Sequence, residues 1–281
     1  MSSAQTRGAR GGRSRRLRLA CVTAGVTAAM VLAGCGGGNI EKQDSSASGG
    51  GGGKDCGELN IAVNPWTGYV SNAHLIGYVA ESKLGCKVSY QDVKEEVGWQ
   101  GMSNGTIDTI VENWGHADLV KKYIDDQKTV QDAGLTGSDG IIGWYVPPWM
   151  DEKYPDITDW KNLNKYATMF KTSEAGGKGQ LLDGDPSYVT NDAALVRNLG
   201  LDFAVSYAGS EDALIKAFRA AEQDRTPLLG YFYAPQWLLS DVDLVHIPLP
   251  PYTPGCDADV KKVACDYQPY DLDKSVNRRF A

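Results

Sequence analysis

Histidine is nearly absent from this 281-residue chain: His74, His116 and His246 are its only three, and they stand far apart. There is no H-E-x-x-H and no C-x-x-C, so neither a zinc peptidase site nor a zinc ribbon has its ligands in place. An exported hydrolase is left with few candidate bases. A long apolar run is missing too. Leu19 to Ala33 is uncharged but falls short of the roughly 20 residues that a membrane span needs. Nor is positive charge in excess: acids outnumber bases by 35 to 28, which speaks against a nucleic-acid partner.

What is there begins with an address. Arg7, Arg10, Arg13, Arg15, Arg16 and Arg18 make a basic start, the apolar run follows, and Leu32-Ala33-Gly34 leads directly into Cys35. This order resembles a bacterial lipoprotein signal, in which the leader is removed and the cysteine becomes the lipidated N-terminus. The expectation is a signal peptide over 1–34 and a lipid on Cys35 that anchors the protein to the outer face of the bacterial cell membrane. Ser14-Arg15-Arg16 has part of a twin-arginine export signal while Arg18 departs from it, so the export route stays open. Residues 35–55 are rich in glycine and serine and predict a flexible tether. Without its leader the chain carries 22 basic and 35 acidic residues, a formal charge of −13.

Cys21 leaves with the leader, and Cys56, Cys86, Cys256 and Cys265 remain beside the lipidated Cys35. An even set outside the cytoplasm reads as disulfides. Of three possible pairings, Cys56–Cys86 with Cys256–Cys265 is preferred, because each pair flanks a compact stretch of chain. Loop closure is then worth about 4 kcal/mol for the longer loop and about 3 kcal/mol for the shorter.

The folded part has the rhythm of an α/β protein. Glu58 to Val63 is a short strand before an Asn64-Pro65 turn; Val70, Ala73, Ile76, Ala80 and Leu84 mark a helix that stops at Gly85. Lys87 to Val93 and Gly105 to Glu112 read as strands, with a helical piece from Trp99 to Ser103 between them. The prolines 147 and 148 suit a crossing into a second lobe, where Asn191 to Leu199 and a capped Ser210 to Ala221 read as helices, and Phe203 to Tyr207 and Leu228 to Tyr233 as strands. Two such lobes enclose a cleft, the usual place for a small ligand.

Three strands run out into aromatic loops: Val63-Asn64-Pro65-Trp66, Val111-Glu112-Asn113-Trp114, and Tyr231-Phe232-Tyr233-Ala234-Pro235-Gln236-Trp237. Ligands of parallel α/β sheets bind beyond the carboxyl ends of strands. Aromatic faces gathered there, without a matching set of acids, suit a cation that offers methyl groups in place of N–H donors. At about 1–2 kcal/mol per desolvated ring, three rings supply roughly 3–6 kcal/mol. Trp66 and Trp114 as core or hinge packing is the plainer alternative.

Taken in order, NPWTG (64–68), ENWGH (112–116), GWYVPPW (143–149), GDPSYVTND (184–192) and YFYAPQW (231–237) resemble the glycine betaine/choline-binding proteins of ABC importers, from about Leu59 to Phe280. The resemblance implies a two-lobe, type II periplasmic-binding-protein-like α/β fold, with lobe 1 at 56–145, lobe 2 at 146–250 and a C-terminal segment at 251–281. It implies a monomeric receptor without catalysis, cofactor or metal, whose partners are a small quaternary ammonium ligand and ABC permease subunits. Trp66, Trp114 and Tyr233 match the aromatics that box the ligand's ammonium group. His116 lies near a histidine that holds the ligand's carboxylate, and Ser187 and Tyr188 match the turn whose amides meet that carboxylate, at a helix N-terminus. Gln236 stands where the family has histidine. Tyr231 shares a strand face with Tyr233 and could serve instead, and Trp144 and Tyr145 either line the cleft or pack a hinge. Trp237, Trp99, Trp149 and Trp160 are assigned to packing. The runner-up receptor takes an amino acid or a polyamine, with Glu112 as its obvious acid; an exported hydrolase is the reading from another class. Leu272, Val276 and Phe280 are spaced as the opening of a helix, and the resemblance implies more helical sequence beyond Ala281.

Overall fold

The structure, a computed structural model, describes residues 56–188 and 190–278; the leader, Cys35 and the tether lie outside them. Three parallel strands come first: β1 (Glu58–Val63), β2 (Lys87–Asp92) and β3 (Thr109–Asn113), with α1 (Thr67–Leu84) and α2 (Glu95–Asn104) between them. α1 stops at Gly85, where φ is 71° and a Cβ is disfavoured, and the Gly85 amide closes onto Glu81 O at 3.2 Å. Its buried face is Tyr69, Ala73, Gly77 and Ala80 rather than the one the larger apolar residues suggested, and Leu84 is exposed.

After α3 (Ala117–Val120) and a π-helical turn at Lys121–Asp126, β4 (Val130–Val146) runs for 17 residues. There follow α4 (Pro148–Lys153), α5 (Leu163–Tyr166), β5 (Gly179–Asp183), α6 (Asp192–Asn198), β6 (Phe203–Tyr207), α7 (Glu211–Gln223), β7 (Gly230–Ala234), β8 (Val245–Ile247) and β9 (Tyr270–Asn277). β4 belongs to two sheets. From Val130 to Gly140 it pairs antiparallel with β9, in the order β2-β1-β3-β9-β4; from Ile141 to Val146 it pairs with β7 and β8, in the order β4-β7-β5-β6. The architecture is a two-lobe mixed α/β fold. Trp144, Val146, Trp149, Leu163, Leu181 and Leu195 pack one core, Trp99, Met102 and Ile110 a second, and a third runs from Ile61 and Tyr69 to Phe218 and Phe232.

Two expectations are corrected. The prolines do not mark the crossing: β4 has already entered the second sheet before Pro147, and Pro148 opens α4, where a missing N–H costs nothing. The four-residue spacing of Leu272 and Val276 is not a helix. Val276 pairs with Thr109 on one side and Gln131 on the other, so two sheet neighbours far away in sequence override a local pattern. Ser210 caps α7 as expected, accepting from Ala213 N at 3.2 Å. The disulfides are Cys56–Cys86 and Cys256–Cys265, with Cα separations of 4.6 and 6.3 Å. Among the described residues no helix is long and apolar enough to cross a membrane.

Candidate functional site

The ends of β1, β3 and β7 converge, and the rings just beyond or at those ends line one cavity. It encloses about 420 Å³, mouth included, and is lined by Trp66, Glu95, Trp114, His116, Ile142, Tyr188, Tyr231 and Tyr233. Trp66 sits edge-on to Tyr188 at 5.8 Å between centroids, and Trp114 edge-on to Tyr233 at 5.5 Å. Gly115 follows Trp114 with φ at 81°, and Gly140 on β4 lets the Trp114 ring lie against bare backbone: a Cβ there would stand 2.6 Å from Cζ3.

Behind the rings stands Glu112. Both indoles donate to its Oε2, Trp66 Nε1 at 3.0 Å and Trp114 Nε1 at 3.1 Å, while Asn72 Nδ2 donates to Oε1 at 2.6 Å. The residue is 4% exposed. Three donors and no acceptor facing it fit the ionised carboxylate. Glu211 plays a similar part behind Tyr233. It accepts from the Tyr233 hydroxyl and from Gln236 Nε2 at 3.0 Å on one oxygen, and on the other from Thr67 N and Oγ1 at 2.8 and 2.7 Å. Burial, then the charge of Glu211, pushes the Tyr233 phenol far up, so it keeps its proton and donates. Thr67 opens α1 beside the first sheet and Glu211 opens α7 beside the second; the carboxylate therefore ties the two lobes at the cavity wall.

His116 Nε2 pairs with Glu95 Oε1 at 2.9 Å, both nearly buried. Burial opposes protonation, but the hydrogen bond and charge of Glu95, helped by Asp118 and Glu96, outweigh it and leave the imidazole above its ordinary value. On the far side, the turn at 184–188 uses its own amides: Ser187 N donates to Asp185 Oδ1 at 2.7 Å and Tyr188 N to Asp185 O at 2.9 Å. Beneath it Asp192 is fully buried. Its Oδ1 accepts from Trp144 Nε1 and Tyr267 Oη, each at 2.8 Å, and its Oδ2 meets no donor. Desolvation, then the charge of Asp183, raises its pKa to about 8, which keeps a proton on the pair.

Of the residues expected at the site, Trp66, Trp114, His116, Tyr188 and Tyr233 come together at the cavity. Ser187 lines a neighbouring cleft with Pro65 and Lys94, and Gln236 lies behind the wall, capping the turn at Trp237 through Leu238 N. Tyr231 joins Tyr233, as alternation along β7 allows. Glu95 and Ile142 were missed, and the acids are nearer than the sequence suggested. Trp144 is buried away from the cavity. Trp237, expected to pack, is 46% exposed with the Arg219 guanidinium over its ring at 4.9 Å. Gly101-Met102-Ser103-Asn104-Gly105 has the G-x-S-x-G spacing of a hydrolase elbow. Ser103 lies in the last turn of α2, not at a strand-to-helix turn, and its hydroxyl bonds Gln127 and Thr129 rather than histidine. Among the described residues no cluster of His, Cys, Asp or Glu is suited to a metal.

This two-lobe α/β fold has known counterparts. Residues 57–281 match the family of substrate-binding domains of ABC-type glycine betaine transport systems. The chain belongs to this family. It is 27% identical over 239 residues to the trimethylamine N-oxide-binding protein of Pelagibacter ubique strain HTCC1062, covering 78% of this chain and 72% of that one. Solved folds like it include an ABC-transporter choline-binding protein in complex with choline (TM-score 0.61, 15% identity, 80% of this chain and 73% of that one). Another is the glycine betaine/L-proline-binding protein ProX from Borrelia burgdorferi (TM-score 0.60, 17% identity, 78% and 75%). The receptor is a solute-binding component of an ABC importer and not an enzyme.

Proposed function

We propose that the cavity between Trp66, Trp114, Tyr188, Tyr231 and Tyr233 takes the methylated ammonium group of glycine betaine or a related quaternary ammonium solute, which the receptor then delivers to its permease. The observation that carries this reading is the convergence of five aromatic residues on one small cavity. At about 1–2 kcal/mol for each desolvated ring in contact, three of them supply roughly 3–6 kcal/mol toward a micromolar affinity of about −8 kcal/mol. The amino-acid or polyamine alternative is disfavoured. Glu112, the acid named for it, stands behind the rings and accepts from Trp66, Trp114 and Asn72, and Glu95, the acid on the cavity wall, is paired with His116. Calorimetric titration with glycine betaine, choline and trimethylamine N-oxide is the test; heat from none of them would refute the reading. Lipid on Cys35 would keep a monomeric receptor at the outer face of the membrane, near its permease. Mass spectrometry of protein extracted from membranes checks it: an unmodified cysteine, or an uncleaved leader, would count against the anchor.

A further inference from the structure

The ring N–H and O–H groups of Trp66, Trp114 and Tyr233 all point away from the cavity and onto buried carboxylates: both indoles reach one oxygen of Glu112, and the phenol reaches Glu211. The hydrogen-bond partners of both carboxylates are neutral amides, hydroxyls and indoles, with no lysine or arginine among them. No lysine or arginine lines the cavity either, and its one histidine is already paired with Glu95. The turn amides that could receive an anion are folded back onto Asp185.

From this arrangement we infer that Glu112 is a specificity-determining residue, a negative charge held behind the rings that selects a net-cationic, N-methylated ligand without a carboxylate, of the choline type, over a zwitterion. The inference rests on the aromatic-box reading above. A carboxylate in this position acts in two ways. It draws the indole protons, which enriches the ring faces toward a cation. It also adds an attractive field that reaches through low-dielectric rings and grows stronger as water leaves. Because the rings stand between it and the ligand, the acid contributes potential without offering a hydrogen-bond acceptor of its own to an ammonium with N–H bonds. A ligand carboxylate feels the same field as repulsion and finds the Ser187 and Tyr188 amides of the turn already bonded.

Glu112→Gln tests this, because the amide oxygen still accepts both indole N–H bonds while the charge is gone, and the amide nitrogen donates to Asn72 once the Asn72 amide turns its oxygen inward. Wild type and variant are titrated with choline, with its uncharged carbon isostere 3,3-dimethylbutan-1-ol, and with glycine betaine. The expected result is a wild type that prefers choline to glycine betaine, and a variant whose choline affinity falls by on the order of tenfold to a hundredfold. Binding of the uncharged isostere should not change, and the choline-to-betaine ratio should shrink. Equal losses for choline and the isostere would reduce Glu112 to a structural support, and an unchanged choline affinity would remove its role altogether. The wild-type ratio needs no variant to fold: preference for glycine betaine over choline overturns the inference and leaves the aromatic box standing. Wild type silent with all three ligands would instead overturn the box, and this inference with it.

Discussion

Thr67→Val is the most informative single change, because it cuts one bond between the lobes and leaves every ring of the cavity in place. Thr67 Oγ1 donates to Glu211 Oε2 at 2.7 Å, and the same oxygen also accepts the Thr67 amide at 2.8 Å. Valine has the same shape and removes only the hydroxyl bond. Glu211 keeps the amide, Tyr233 and Gln236, so no buried charge is orphaned. A hydrogen bond to a charged group is worth about 1.5–3 kcal/mol. In an opened cleft water replaces that bond, so the loss falls on the closed form. Affinity for the quaternary amine should therefore drop by about tenfold to a hundred and fifty-fold, at 1.4 kcal/mol per decade. The ratios between different ligands should stay as they are, since the box is intact. Calorimetry measures both, and small-angle scattering with and without ligand reports whether the variant still compacts. Affinity within twofold of wild type would refute the cross-lobe tie. A changed ligand ratio would show that Thr67 belongs to the box and not to closure.

Other outcomes follow from the same geometry. Gly140→Ala pushes a methyl to within 2.6 Å of the Trp114 ring and 3.0 Å of Leu272, so stability should fall by about 1–3 kcal/mol and ligand affinity with it; denaturant titration and calorimetry check the pair, and unchanged affinity would take Trp114 out of the box. The His116–Glu95 contact raises the imidazole, so its contribution to stability is complete below about pH 6.5 and fades as pH rises through the higher folded value; the wild-type stability curve against pH, minus that of His116→Gln, should decline in that direction. Asp192 is raised by burial and by Asp183, so the folded state holds a proton that the unfolded chain gives up. Stability should decline from about pH 4 and level off near pH 8. Asp192→Asn, which can still accept from Trp144 and Tyr267 and donate toward Asp183, should flatten that decline, and a slope like that of wild type would exclude the shared proton.

The strands and helices that shape the cleft were legible because their signals are local: a glycine closes α1, a serine caps α7, short apolar runs stand where β1 and β6 form, and Lys87 to Val93 alternates where β2 forms. β9 was not legible, since its partners lie more than a hundred residues away and its apolar spacing happens to fit a helix. The site divides in the same way. Trp66, Trp114 and Tyr233 could be named because each stands at or just beyond the end of a strand, and strand ends are where ligands collect. Glu112 could not be given its part, because the role depends on Trp66 and Asn72 arriving from a helix 40 to 46 positions earlier in the chain. The turn at 184–188 is the instructive case. Its resemblance to an anion-binding loop pointed to Ser187 and Tyr188 amides as free donors, yet Asp185 sits two residues before Ser187, the spacing at which an aspartate side chain bonds its own downstream amide. That bond was readable from Asp185-Pro186-Ser187 alone. It takes up a donor that an incoming carboxylate could have used, which makes local turn chemistry, beside the buried glutamates, a reason for a ligand without an anionic end.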